Sequence, residues 1–140
     1  RWHKRGADGS GKCTIAIAPK DPVGVHGILY RFAANEKYQL DLTEGLGSGY
    51  DEASVTVETA AGLRQATTYL AAHSHIDDRL MPYSWYRDLV IEGASEAGIS
   101  DDYVRRLATV RTQQDPDADR EAHNRARHPL SGIRRSTQER

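Results

Sequence analysis

Two β-forming runs, Ser54 to Thr59 (SVTVET) and Leu63 to Ala71 (LRQATTYLA), stand either side of a short AAG connection, and this stretch constrains the fold most. Val55 and Val57 alternate with polar neighbours, the two-residue period of a half-buried strand. The segment therefore predicts an antiparallel hairpin. A second hairpin is predicted upstream, where Arg1 to Arg5 and Lys12 to Ala18 (KCTIAIA) flank ADGSG, whose Asp and Gly residues suit a tight turn. Between the hairpins, VGVHGILYRF from Val23 to Phe32 is β-branched and aromatic and reads as a further strand, its glycines marking a bend or a close backbone approach.

Helical signals occupy the rest. Asn35 stands where it can accept from the first free N–H groups of a helix through EKYQLDLTE, in which Tyr38, Leu42 and Leu46 recur at four-residue spacing and which Gly45 ends. From Tyr83 the period is near 3.6, with Tyr86, Val90, Ala94 and Ala97 on one face and Gly98 as the stop. Ser100 is placed to cap the next helix, Asp101 and Asp102 favour its N-terminal dipole end, and Arg105, Arg106 and Arg111 follow toward its C-terminal half. The class is mixed α/β (α+β). Periodicity fades after about Thr112, so the reading is one domain over residues 1–112 and, over 113–140, a polar tail, flexible or docking locally as an arm.

Nineteen Lys and Arg against twenty Asp and Glu give a formal net charge of −1, which offers no electrostatic case for nucleic acid or an anionic membrane. A small-molecule partner is expected. Cys13 is the sole cysteine, so neither an internal disulfide nor a zinc site built on CxxC pairs can form, and a cytoplasmic setting is the default. No apolar run approaches the roughly 20 residues of a membrane span.

Three motifs invite chemistry and are better read plainly. GADGSGK, Gly6 to Lys12, approximates a phosphate-cradling loop, but Cys13 stands where magnesium needs Ser or Thr and a β-branched run follows instead of a helix; a glycine-rich hairpin turn is the better reading. His73 and His75, with Asp77 or Asp78, have the spacing of a strand metal site, yet histidines near a strand end are more often solvent-facing or hydrogen-bonded. Cys13 has no base in its sequence neighbourhood and reads as a buried strand residue. Glu44 closes its helix against the negative end of the dipole, which raises its pKa slightly; by local physics alone it is a solvated glutamate before a capping glycine.

LDLTEGLGSGY, preceded by VGVHGILYRF and followed by a hairpin carrying TTYL, resembles the gamma-glutamylcyclotransferase family, notably its bacterial members. HKRGADGSGKCTI and PYSWYRDLVIEGASEAGIS are similar to other parts of that family, so the resemblance runs from about His3 to about Val110. It implies a small mixed β-barrel with flanking helices and an enzyme that converts gamma-glutamyl amino acids or amines to 5-oxoproline plus the free amine. No metal or organic cofactor is implied, and the partner is the gamma-glutamyl substrate. The family's glutamate before Gly falls on Glu44 as general base and acid, and substrate-binding tyrosines fall on Tyr50, Tyr69 and Tyr86. Family members begin with a strand and a YGSN-like loop, whereas this sequence starts at RWHKR, downstream of that position. The resemblance therefore implies an N-terminally truncated domain, either a cyclotransferase or a noncatalytic small-ligand-binding module of the same fold. Oligomeric state leaves no mark in the sequence.

Overall fold

The structure, a computed structural model, describes residues 1–16 and 24–126. Its first element is a short hairpin of β1 (Lys4–Arg5) and β2 (Gly11–Lys12), with Lys4 opposite Lys12. Asp8 shapes the turn: its carboxylate accepts from the Ser10 amide at 3.0 Å and the Ser10 hydroxyl at 2.9 Å, the local capping that Asp offers a turn. GADGSGK is thus a hairpin, shorter than the sequence suggested; Ile17 and Ala18 of the expected second strand lie outside the described residues.

Helix α1 (Lys37–Glu44) begins after Glu36, not Asn35; the Glu36 carboxylate accepts from the Ala33 amide at 2.9 Å. It ends at Gly45 (φ 68°), where the Leu46 N–H reaches the Asp41 carbonyl at 2.9 Å, a six-to-one closure that requires a left-handed residue. β3 (Tyr50–Thr59) and β4 (Gly62–Ala71) pair antiparallel over ten residues each, from Tyr50 opposite Ala71 to Thr59 opposite Gly62. A 3₁₀ turn at His73–His75 leads on to α2 (Ser84–Glu96) and α3 (Asp101–Ala108). Ser100 does occupy the N-cap of α3, but its hydroxyl makes no capping bond.

The mixed α+β class is what the structure shows, with the strands in two separate two-stranded sheets. One expectation is corrected. Residues 24–32 of the anticipated strand make no ladder pairing among the described residues, and Val23 lies outside them. A strand exists only where a neighbour supplies backbone partners; the His26 amide instead donates a hydrogen bond to the Tyr103 hydroxyl, at 3.4 Å.

The buried centre lies at the start of α2, where Pro82 is wholly enclosed and Tyr83 and Trp85 are each 5% exposed. Three backbone segments are laced together there. The Gly11 amide donates to the Met81 carbonyl at 2.9 Å, Gln113 to Pro82 at 3.0 Å, and Ser84 to Gln113 at 3.0 Å. A Cβ on Gly11 would stand 2.2 Å from the Trp2 carbonyl oxygen, so only glycine permits this approach. The polar stretch after Thr112 is docked as far as it is described: Asp115 accepts from the Trp85 indole at 2.8 Å and pairs with Arg120 of α4 (Ala118–Ala126). Residues 127–140 of the expected tail lie outside the described residues. Among the described residues, no helix is long and apolar enough to cross a membrane.

Candidate functional site

After α1 the chain reverses through GLGSG, with the Ser48 amide donating to the Gly45 carbonyl at 2.8 Å and Gly47 to Tyr50 at 3.0 Å. Tyr50 therefore enters β3 within electrostatic range of Glu44. Gly49 (φ 128°) is buried at this point, and a Cβ there would meet the Lys4 ammonium at 3.2 Å and the His75 ring at 3.1 Å. Glycine is needed here for both conformation and space. The first hairpin and the EGLGSGY segment are thus pressed together, with Lys4 between them.

The backbone of Cys13 joins two of the tyrosines. Tyr50 donates its hydroxyl proton to the Cys13 carbonyl at 2.8 Å, and the Cys13 amide donates to the Tyr86 hydroxyl at 3.2 Å. Burial pushes the Tyr50 phenol up to about 12, with nearby Glu44 adding to the effect. Burial also drives Tyr86 well above the ordinary phenol range, and raises the Cys13 thiol. All three are protonated at neutral pH, so they act as hydrogen-bonding and shape-defining groups rather than bases.

Glu44 is half-buried and makes no hydrogen bond to a described residue. Burial raises its pKa from the ordinary 4.5, and the charge of Lys4 opposes the rise without cancelling it. Lys4, in turn, is lowered chiefly by burial and further by Lys12 across the hairpin. Its ammonium rests over the Tyr50 ring, 4.5 Å from the centroid, a cation–π contact.

Of the four residues singled out in the sequence, Glu44, Tyr50 and Tyr86 are linked through this cluster. Tyr69 is placed differently. Its hydroxyl donates to the Asp41 carboxylate, one turn before Glu44 on α1, where Lys37 also pairs with Asp41 at 2.7 Å. Tyr69 also lines an apolar cleft of about 440 Å³, together with Trp2, Ile28, Val90 and Leu107. Cys13 borders that cleft too, whereas Glu44, Tyr50 and Tyr86 do not.

Lys4 and the Cys13 backbone were not identified from the sequence as parts of this site. The one available signal was the ADGSG turn, which fixes Lys4 opposite Lys12. His3, 8% exposed, has its Nδ1 2.6 Å from Asp78, and its Nε2 is buried without a hydrogen-bond partner among the described residues. His73 and His75 sit in the 3₁₀ turn, with His75 Nδ1 3.0 Å from the Ser74 hydroxyl. Among the described residues, no group of three or more His, Cys, Asp or Glu is placed to hold a metal ion.

Comparison with known proteins adds one finding. A family model described as the AIG2-like family matches residues 24–107, more than half of the chain, a span that includes Glu44, Tyr50, Tyr69 and Tyr86. No curated protein and no solved structure matches the chain.

Proposed function

Because the chain belongs to the AIG2-like family, within the gamma-glutamylcyclotransferase-like superfamily, we propose that it is a gamma-glutamylcyclotransferase with Glu44 as its proton-transfer residue. The observation that carries this reading is the state of Glu44: a half-buried carboxylate of raised pKa, free of hydrogen bonds to described residues, beside a cation and a tyrosine. A structural glutamate would normally be satisfied by partners; a general base must keep its lone pairs for the substrate.

In the proposed reaction Glu44 removes a proton from the substrate's α-ammonium. The freed amine attacks the γ-carbonyl carbon, forming the C–N bond of a five-membered lactam and placing negative charge on the carbonyl oxygen. Collapse of that intermediate breaks the original amide bond; protonated Glu44 returns its proton to the departing nitrogen, and the freed carboxylate then takes the second proton from the ring nitrogen, leaving the neutral lactam. The products are 5-oxoproline and a free amine. A carboxylic acid whose pKa is raised toward the working pH serves both halves better than one near 4. Tyr50 and Tyr86, fixed to the Cys13 backbone, supply a rigid wall for the curled substrate, which supports proximity as a second source of rate.

The test is direct. The protein is incubated with a gamma-glutamyl dipeptide and 5-oxoproline is quantified, alongside Glu44→Gln. Product from the unaltered protein and a rate lower by about 10²–10⁴-fold in the variant are expected. Equal rates would remove Glu44 from the mechanism.

A further inference from the structure

The cleft of about 440 Å³ lies outside the Glu44 cluster and is bordered by three parts of the chain: the stretch around Trp2 and Thr14, the segment over residues 24–30, and the α2–α3 pair. Its size suits a compact small molecule, since ligand pockets run from about 300 to 1,000 Å³. The wall from residues 24–30 is apolar yet left in water, with Val25 60%, Ile28 38% and Tyr30 41% exposed. Large apolar side chains around a concavity are the surface that an apolar ligand covers.

On α2, Val90, Gly93, Ala94 and Ala97 fall on one helical face, and all four border the cleft. Gly93 is the informative residue. Glycine inside a helix is destabilising relative to alanine, so it calls for a reason in backbone conformation or in space. Neither applies here: its φ is not positive, and a Cβ built on it meets nothing within 4 Å. What the missing side chain preserves is open volume in the cleft. Gly27, in the wall from residues 24–30, repeats the pattern. The ionisable lining is also one-sided. Arg1 and His26 border the cleft and, among the described residues, no Asp or Glu does, in a chain with twenty acidic residues. The ion pair of Arg1 with exposed Asp78 is long, 3.9 Å, and a guanidinium has five donors to offer.

We propose that this cleft is a binding site for a small apolar carboxylic acid, its aromatic or branched body against Ile28, Val90 and Leu107 and its carboxylate toward Arg1. The site is independent of the cyclotransferase reading, because Glu44, Tyr50 and Tyr86 do not border the cleft. Burial of the apolar body supplies the affinity, and the basic lining chooses among ligands of equal shape. Of an acid, an alcohol and an amine on the same body, the acid meets an opposite charge, the alcohol none, and the amine a like one.

4-Phenylbutyrate, 4-phenylbutanol and 4-phenylbutylamine are titrated calorimetrically into the full chain, into Gly93→Leu, and into the double variant Arg1→Gln, His26→Gln. The acid should bind about tenfold tighter than the alcohol and the amine weakest, and the double variant should erase the acid's advantage while leaving the alcohol's affinity within about twofold. Gly93→Leu fills the cleft and should weaken acid and alcohol alike by about tenfold or more, with no fall in Tm. Gly93→Ala, followed by thermal denaturation, should raise Tm by about 3–5 °C, the gain expected where glycine serves no purpose in the fold. A lower Tm in Gly93→Ala would mark the glycine as structural and overturn the case for a cleft kept open. Unchanged affinity in Gly93→Leu would place the binding elsewhere and overturn the site. An acid held no tighter than the alcohol, an advantage that survives the double variant, or no binding by any of the three compounds would each overturn the proposal as well.

Discussion

Replacing Glu44 by Gln should make the protein more stable at neutral pH while lowering the proposed cyclotransferase activity by about 10²–10⁴-fold. The sign follows from the folded-state pKa, which burial raises above the ordinary 4.5 despite the attraction of Lys4. Below the unfolded value the carboxyl is protonated in both states and contributes nothing. Above it the folded state resists ionisation, so stability falls as pH rises through the folded pKa. Each unit of upward displacement corresponds to about 1.4 kcal/mol. The last turn of α1 has no basic residue, so the charge also faces the negative helix end unaided, at a further cost of a few tenths of a kcal/mol. Glutamine keeps the shape and removes both penalties, and each kcal/mol moves the Tm of a domain of this size by about 3–5 °C. Thermal denaturation of both proteins at about pH 7.5 and about pH 4 is the assay, with the variant's advantage present at the higher pH and vanishing at the lower. A variant less stable than its parent at neutral pH would show that the Lys4 attraction outweighs burial, and the argument for a poised base would fail.

Tyr50→Phe removes the hydrogen bond to the Cys13 carbonyl and leaves that acceptor unpaired; denaturant unfolding should register a loss of about 1–2 kcal/mol. Gly49→Ala puts a methyl group against Lys4 and His75 at a φ of 128°, so it should lower both Tm and dipeptide turnover, whereas Gly62→Ala, strained but in open space on the far hairpin turn, should lower Tm alone. Asp115→Ala strips the partner from the Trp85 indole and from Arg120; differential scanning calorimetry should show a Tm lower by about 10 °C or more, with Asp115→Asn milder. Arg120 also holds the Asp115 carboxyl well below the usual carboxylate range, so this stabilisation is complete above the unfolded pKa near 3.8 and is lost as pH falls through the folded value.

How much of this was legible in the sequence depends on the range of the forces involved. Turns and helix ends are local: Asp8 bonds to Ser10 two residues on, and Gly45 and Gly98 take the left-handed conformation that ends a helix. Both hairpins and the three helices between Lys37 and Ala108 therefore follow from short-range chemistry, and Glu44 was marked by the segment around it. Over residues 24–32, the strand expected from Val23 to Phe32 finds no ladder partner among the described residues for the opposite reason, because β propensity supplies no partner and pairing is a property of two segments.

The site itself is a product of approach. Tyr50 and Tyr86 reach Cys13 across 37 and 73 residues of chain, and Tyr69 reaches Asp41 across 28. No spacing rule encodes such contacts, since they exist only after the first hairpin is laced to Met81 and pressed against Gly49. Sequence alone determined which carboxylate closes α1. Tertiary structure decided that it is partly buried within electrostatic range of Lys4, because burial and Coulomb interactions depend on distance through space rather than along the chain.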